Sequence, residues 1–318
     1  MLVSVVVPVC NEQDSLYEFA DRIRAVATQE RTRYSWEVIL IDDGSTDRSD
    51  DIISELCSNA LFKSVTFTRN FGHQIALIAG MRHATGQAVV TIDGDLQDPP
   101  ELIPALLREF ERGYDVVNAV RLKRSGEGRF KRVFATLFYR IYRRMVTFET
   151  PIDSGDFRLI SRRVQQQVLA ASESSQYLRG QVAWFGYASS NVSYNRQPRV
   201  HGKTKYPFRK SLALAANAIV SLSGTPLRVV TYVGLVLSPF LLLTATAMFL
   251  VDQITNSLRI SNYVLLTAWL LTVSVMSFSF AVIAAYLGRL MFQVRRLPLY
   301  VVATTRNLEE TSTHNGKS

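Results

Sequence analysis

An open α/β sheet followed by a membrane-embedded helical hairpin is the fold class the sequence predicts, on three observations. Short apolar runs alternate with segments of helical periodicity through residues 1–171, the strand–helix alternation of α/β proteins. Polar clusters rich in aspartate follow several of those runs at their C-terminal ends, where open α/β sheets bind ligands. Two uncharged runs, 229–251 and 263–288, are each long enough to cross a bilayer as helix, which takes about 20 apolar residues.

Residues 4–8 (SVVVP) read as a strand buried on both faces and ended by Pro8. Leu16, Phe19, Ile23 and Val26 recur at helical spacing behind Asn11 and Glu12. Residues 37–41 (EVILI) form the second strand and run into Asp42-Asp43-Gly44-Ser45-Thr46-Asp47. In that turn Ser45 or Asp47 caps a helix carrying Ile52, Ile53 and Leu56. Residues 64–67 are a third strand, ending in Arg69-Asn70-Phe71-Gly72, and a helix through Ile75, Leu77, Ile78 and Met81 follows.

The centre of the chain is 89–101, VVTIDGDLQDPPE. A buried strand ends at Ile92, Asp93, Asp95 and Asp98 follow, and Pro99-Pro100 stop any ladder. Asp93 and Asp95 stand two apart, so at a bending strand end both can turn toward one ion, and the amide oxygen of Gln97 can add a third ligand. Hard oxygen donors suit Mg²⁺ or Mn²⁺ shared with substrate phosphates, not zinc. An acidic turn without a ligand explains Asp-x-Asp taken alone. No G-x-G-x-x-G and no G-x-x-x-x-G-K-[ST] is present, so phosphate charge is expected to meet a metal and Arg or Lys.

Residues 102–110 read as a helix and 115–120 as a strand ending at Arg121. Between Arg121 and Arg144, nine Lys or Arg face one acid, Glu127, and residues 130–146 place Phe134, Leu137, Phe138, Ile141, Tyr142 and Met145 on one helical face. Nucleic acid is one reading of such a run. Beside two spans, a helix lying on anionic headgroups is the better one. Ser154-Gly155-Asp156-Phe157-Arg158 reads as a glycine-hinged turn offering one carboxylate and one guanidinium. A helix at 162–171 and a strand-like stretch at 187–194 follow. Residues 196–206 (RQPRVHGKTKY) read as a mobile basic loop able to close over an anion, and 208–222 as a further apolar helix.

Between the two spans stand the 11 residues 252–262, with one Arg, Arg259. Arg199, Lys203, Lys205, Arg209, Lys210 and Arg228 precede the first span, and Arg289, Arg295 and Arg296 follow the second. The positive-inside rule then puts both termini and the α/β domain in the cytoplasm. The N-terminal MLVSVVVPVC has no basic n-region and is too short for a signal peptide. Cys10 and Cys57 give neither metal spacing nor a disulfide framework, which fits a reducing compartment. Residues 1–206 are expected to be the catalytic domain, 207–228 a juxtamembrane amphipathic helix, and 229–318 the transmembrane hairpin with a cytoplasmic tail, polar and disordered from 309.

Pro8-Val9-Cys10-Asn11-Glu12, IDDGSTD at 41–47, RNFG at 69–72, DGDLQDPPE at 93–101, GDFRL at 155–159 and the basic loop at 199–205 occur in that order. Together they resemble the inverting glycosyltransferases of family 2, of GT-A fold, and within them the polyprenyl-phosphate glycosyltransferases. The resemblance covers the whole chain. One departure is Cys10, where the family often has Tyr, which removes an aromatic platform for the base. The resemblance implies that Pro8, Cys10, Glu12, Asp42, Asp43, Asp93 and Gly94 hold a nucleotide-sugar, with Arg199 and Lys205 closing on its phosphates. It implies that Asp93, Asp95 and Gln97 hold Mg²⁺ or Mn²⁺, and that Arg121 and Arg158 meet a lipid phosphate. Asp156, Asp95 and Arg158 are its catalytic set. Asp156 acts there as a base, binds a sugar hydroxyl, or positions the acceptor through Arg158; a purely structural Asp156–Arg158 pair is the alternative.

The implied reaction transfers a sugar, glucose from UDP-glucose in the favoured case, to undecaprenyl phosphate at the cytoplasmic membrane face. GDP-mannose or a UDP-N-acetylhexosamine serves the same chemistry. The implied partners are the nucleotide-sugar, the lipid phosphate and the membrane, without nucleic acid; a homo-oligomer is left open. Processive polysaccharide synthases add a Q-x-x-R-W signature and more spans, and Trp184 lacks the Arg before it. A non-catalytic, membrane-tethered nucleotide-sugar-binding protein has no physical need to keep like charges clustered at Asp93, Asp95 and Asp156.

Overall fold

Valine and isoleucine runs that hide both faces of a sheet need helices on both sides, and this chain supplies them. The computed structural model describes residues 1–122, 154–171, 178–195, 258–294 and 298–308, with some of 227–250. The strands are β1 (Leu2–Val9), β2 (Ser35–Asp42), β3 (Phe62–Phe67), β4 (Ala88–Thr91), β5 (Val116–Arg121), β6 (Ser154–Ser161), β7 (Ser189–Tyr194) and β8 (Val302–Arg306). They form one sheet in the order β7-β5-β6-β4-β1-β2-β3-β8. The helices are α1 (Leu16–Gln29), α2 (Ser49–Leu56), α3 (His73–His83), α4 (Ile103–Glu111), α5 (Arg162–Ala171), α6 (Leu178–Trp184) and α7 (Leu258–Val294).

Strand alternation divides the core into two layers. Val3, Val5, Val7 and Val9 of β1, with Val38 and Leu40 of β2, pack with α1, α2 and α4. Val6, Ile39 and Ile41 face the other way, onto α3, with Val164 and Val168 of α5 and Leu178 and Val182 of α6 in the same layer. The chain leaves β1 toward β2 and β3 on one side and returns to β4 on the other, all parallel. That is the open-sheet arrangement expected, and it creates a topological switch point between β1 and β4.

Two segments differ from the sequence reading. Residues 154–158, expected as a turn, are the first half of β6, which runs antiparallel between β4 and β5. Phe157 and Leu159 enter one core layer and Ile160 the other. The interleaved Asp156 and Arg158, both buried, break the apolar run that marks the other central strands. The second segment is β8, which lies within the stretch read as span and tail. It pairs antiparallel with β3, Arg306 reaches both oxygens of Asp50 at 2.9 and 3.0 Å, and Tyr300 stacks on Phe67 at 4.8 Å. Five residues, mostly exposed, leave little periodic signal.

Residues Met1–Pro207 and Leu297–Ser318 make one compact unit and Phe208–Arg296 a second. In the second, α7 is 37 residues long, and its stretch Leu266–Gly288 has a mean hydropathy of 2.1, with none of it buried. This helix is long and apolar enough to cross a membrane. The expected first span is only partly among the described residues, so the hairpin as a whole is not described. The expected basic helix at 130–146, the loop at 196–206, the helix at 208–222 and the tail from 309 lie outside the described residues.

Gly80 is where α3 presses closest on β1: a Cβ there would overlap Val6 Cγ1 and stand 3.2 Å from Ile41 Cγ1. Gly80→Ala is therefore expected to lower stability by about 1–3 kcal/mol through overpacking, despite a gain of about 1 kcal/mol in helix propensity. Thermal unfolding of the full chain in detergent measures it. Adding Val6→Ala should recover part of the loss, and strictly additive effects would contradict the contact.

Candidate active site

Proline in a central strand costs a ladder bond, yet Pro8 sits in β1 opposite Ile41 of β2. Its position is tolerated because β4 has already ended on the other side. The β1–β4 pairing stops at Val6 and Thr91, with one last bond from the Ile92 N–H to the Val6 carbonyl at 3.1 Å. Pro8 points its missing N–H into the gap that opens there. Cys10–Glu12 leave β1 beside this gap, Asp42 and Asp43 end β2, and Asp93 follows β4. Because β6 runs antiparallel, its first residues arrive at the same edge: Ser154 opposes Val120 and Arg158 opposes Thr91.

The turns along this edge are stitched together by side chains. Asn11, at φ 57°, accepts from the Thr46 N–H at 2.7 Å and donates its own N–H to Ser45 Oγ at 3.0 Å. The Glu12 N–H donates to Ser49 Oγ at 3.0 Å, and the Ser15 hydroxyl donates to the Gly94 carbonyl at 2.9 Å. Asp42 Oδ1 takes the Ser45 N–H at 2.9 Å. Asp43 takes the Phe71 N–H at 2.6 Å and the Gly72 N–H at 3.0 Å, while Asn70 Nδ2 reaches the Asp43 carbonyl at 3.2 Å and Cys10 Sγ at 3.3 Å. Gly44, at φ 64°, lets this turn approach the next so closely that a Cβ would stand 2.5 Å from the Asn70 nitrogen. Burial pushes both Asp42 and Asp43 up, against those hydrogen bonds. Asp43 thus anchors the entry to α3.

Beyond β4, Asp93 lies in the gap. Its Oδ1 is buried and makes no hydrogen bond, and His73 Nε2 is 3.6 Å away. Burial, reinforced by Asp156, Asp98 and Asp95, pushes Asp93 up to about 6 against the pull of His73. Asp95 Oδ1 takes the Gln97 N–H at 3.1 Å, and Leu96 between them adopts φ 61°. Asp98 turns inward and is fully buried, accepting from Tyr194 Oη and from Arg121 Nη2 at 3.4 Å. Arg121 also donates to Tyr194 Oη at 3.2 Å. Gly155 makes room for it, since a Cβ there would be 2.7 Å from Arg121 Nη2.

Asp156 is held by side chains of both α3 and α6. Arg179 grips it with two bonds, Nε to Oδ1 and Nη2 to Oδ2, each 2.8 Å. Gln74 Nε2 donates to Oδ2 at 3.1 Å, and His73 Nε2 is 3.2 Å from the same oxygen. Burial opposes its charge, but Arg179 and His73 hold it well below the usual carboxylate range. Burial likewise opposes a charge on His73, yet Asp156 and Asp93 hold the imidazole up to about 9. Arg158 donates to the Gly155 carbonyl at 3.0 Å; the guanidinium seated on Asp156 is that of Arg179.

The structure therefore brings Pro8, Cys10, Glu12, Asp42, Asp43, Asp93, Gly94, Asp95, Gln97, Arg121, Asp156 and Arg158 to one sheet edge, while Arg199 and Lys205 lie outside the described residues. Sequence reading missed His73, Gln74, Arg179, Asp98 and Tyr194 as site-forming groups. Asp98 stands within the DGDLQDPPE motif without being given a role, and His73 and Gln74 follow directly on RNFG; Arg179 and Tyr194 carry no signal. Among the described residues no three His, Cys, Asp or Glu are gathered as a metal cage. The buried oxygen of Asp93, which makes no hydrogen bond, nonetheless fits one ligand of a hard cation that a substrate's own oxygens complete.

Residues 4–169 match the family described as Glycosyl transferase family 2. An uncharacterized glycosyltransferase of Bacillus subtilis (strain 168) is 38% identical over 307 residues, 96% of this chain and 94% of that protein. An uncharacterized glycosyltransferase of Synechocystis sp. is 40% identical over 309 residues, 96% of each. A bactoprenol glucosyl transferase of Shigella phage SfII is 37% identical over 304 residues, 95% of this chain and 97% of that one. The chain belongs to glycosyltransferase family 2.

Because His73 is raised from 6.5 to about 9, the folded state holds its proton more tightly than the unfolded state does. The stability this contributes is complete below about pH 6.5 and is lost as pH rises through about 9. Thermal unfolding of the full chain in EDTA should fall across that window, and His73→Asn should flatten the fall. An unchanged slope in the variant would rule out His73 as its source.

Proposed function

We propose that this family 2 enzyme transfers glucose, with inversion, from UDP-glucose to undecaprenyl phosphate at the cytoplasmic membrane face. The observation that carries the reading is the near full-length match to a bactoprenol glucosyl transferase. The carboxylate-lined gap between β1 and β4, where open sheets bind nucleotides, supports it. Pro8, Cys10, Glu12, Asp42, Asp43 and Gly94 would line the nucleoside end of that gap, with Arg199 and Lys205 closing over the phosphates. Asp93, Asp95 and Gln97 would hold a Mg²⁺ or Mn²⁺, which when bound supplies positive charge to the departing diphosphate.

The acceptor phosphate, largely dianionic at neutral pH with a second pKa of about 6, needs no proton removed. One of its oxygens forms the new bond to the anomeric carbon as the bond from that carbon to the UDP oxygen breaks. The acceptor phosphate gives up one negative charge on becoming a diester and the departing UDP gains one, so no proton changes hands. The protein's work is to neutralise the leaving group and orient the acceptor. A lipid acceptor agrees with α7, whose Trp269, Phe278 and Phe280 are all exposed, a surface suited to a bilayer. Spans at 229–251 and 263–288, both termini cytoplasmic, and a catalytic domain made of residues 1–206 together with β8 complete the proposal.

The test is incubation of the full chain with undecaprenyl phosphate, Mn²⁺ and a panel of labelled UDP- and GDP-sugars. Label is expected in the organic phase from UDP-glucose and lost with EDTA. Label from GDP-mannose or a UDP-N-acetylhexosamine instead would replace the sugar and keep the reaction; none from any donor refutes it. Asp95→Ala, which removes a ligand itself, should cut transfer by at least the roughly 10- to 100-fold that losing a group behind a metal ligand costs, with the melting curve unchanged.

A further inference from the structure

The sequence leaves Asp156 open as a base, a sugar-hydroxyl ligand or a group that positions the acceptor, and its surroundings argue against the base. A base needs a lone pair within reach of the proton it takes. The two oxygens of Asp156, with the residue only 7% exposed, are met by Arg179 twice, by Gln74 and by His73. The acceptor read above carries no proton that must leave. It does carry negative charge, which must come close to the donor diphosphate beside Asp93. His73 bridges these places, 3.2 Å from Asp156 and 3.6 Å from Asp93. The Arg179 side chain remains 43% exposed while its Nε and Nη2 hold Asp156. Gln74 Oε1 accepts the Leu178 N–H at 3.3 Å, fixing the start of α6, and so Arg179, against α3. Arg121, by contrast, is drawn to the fully buried Asp98 and to Tyr194.

We propose that Arg179, His73 and Gln74, gathered on Asp156, form the seat of the acceptor's phosphate, and that Asp156 orients these donors rather than removing a proton. This rests on the lipid-phosphate reading given above. Arg179 and His73 touch the acceptor; Asp156 is a positioning residue.

The full chain in detergent is assayed for transfer and separately for binding. Arg179→Gln should raise the KM for undecaprenyl phosphate about 10- to 100-fold, the cost of losing a charged hydrogen-bond donor, and Arg179→Lys should restore part of it. Calorimetry with UDP-glucose and Mn²⁺ should show donor affinity within about threefold of wild type, the error expected of an uncoupled site. Asp156→Asn should show the same split, with kcat falling less than the roughly 10²- to 10⁴-fold that removal of a base costs. An unchanged acceptor KM in Arg179→Gln, or loss of donor affinity in its place, overturns the seat and leaves the reaction standing. So does a kcat loss of that full size in Asp156→Asn at unchanged KM. A wild type that binds undecaprenyl phosphate no better than undecaprenol overturns the acceptor reading and the seat together.

Discussion

The ladder between β1 and β4 stops at Val6 and Thr91, while β1 goes on pairing with β2 as far as Asp42, and the gap this leaves constrains everything around it. Backbone groups facing the gap have no strand to bond to, so the turns that rim it must fasten to one another through side chains. Asn11, Ser45, Asp43 and Asn70 do this. A single anchor, Asp43, decides where α3 begins and hence where His73 and Gln74 stand. Pro8 is compatible with a central strand only because the gap exists.

Charge is the second constraint. Asp93, Asp95, Asp98 and Asp156 converge on one edge, and like charges brought this close raise one another's energy. The fold deals with each differently. Asp98 is neutralised by Arg121 and bonded by Tyr194. Asp156 takes Arg179 and His73. Asp93 keeps a buried oxygen without a hydrogen bond, and its raised proton affinity is the physical expression of that shortage. A site that leaves one carboxylate short of positive charge is one prepared to receive some.

Much of this architecture is legible in the sequence. The valine-rich strands, the helical stripe through Leu16, Phe19 and Ile23, and the acidic end of β4 are local patterns, and each formed as its period dictated. What escaped were groups whose meaning depends on distance in the chain. Arg179 meets Asp156 across 23 residues and His73 meets it across 83, and no periodicity marks either. In β6 the polar Asp156 and Arg158 alternate with Phe157 and Leu159, and the glycine ahead of them suggested a turn. That glycine serves to admit the Arg121 guanidinium. Cys10 now has a bond to Asn70, which residue type alone did not reveal.

The last strand also sets an order of events during synthesis. Asn307 bonds the Phe62 carbonyl across 245 positions of chain, and β8 covers the outer edge of β3. As the chain emerges from the ribosome, β3 is complete long before its partner exists, and the whole of α7 must be made in the interval. Throughout that time β3 presents an open row of N–H and C=O groups, the kind of edge that pairs with neighbouring chains. The catalytic sheet is finished only after the apolar helix has been translated, so a product truncated within α7 carries an uncapped edge.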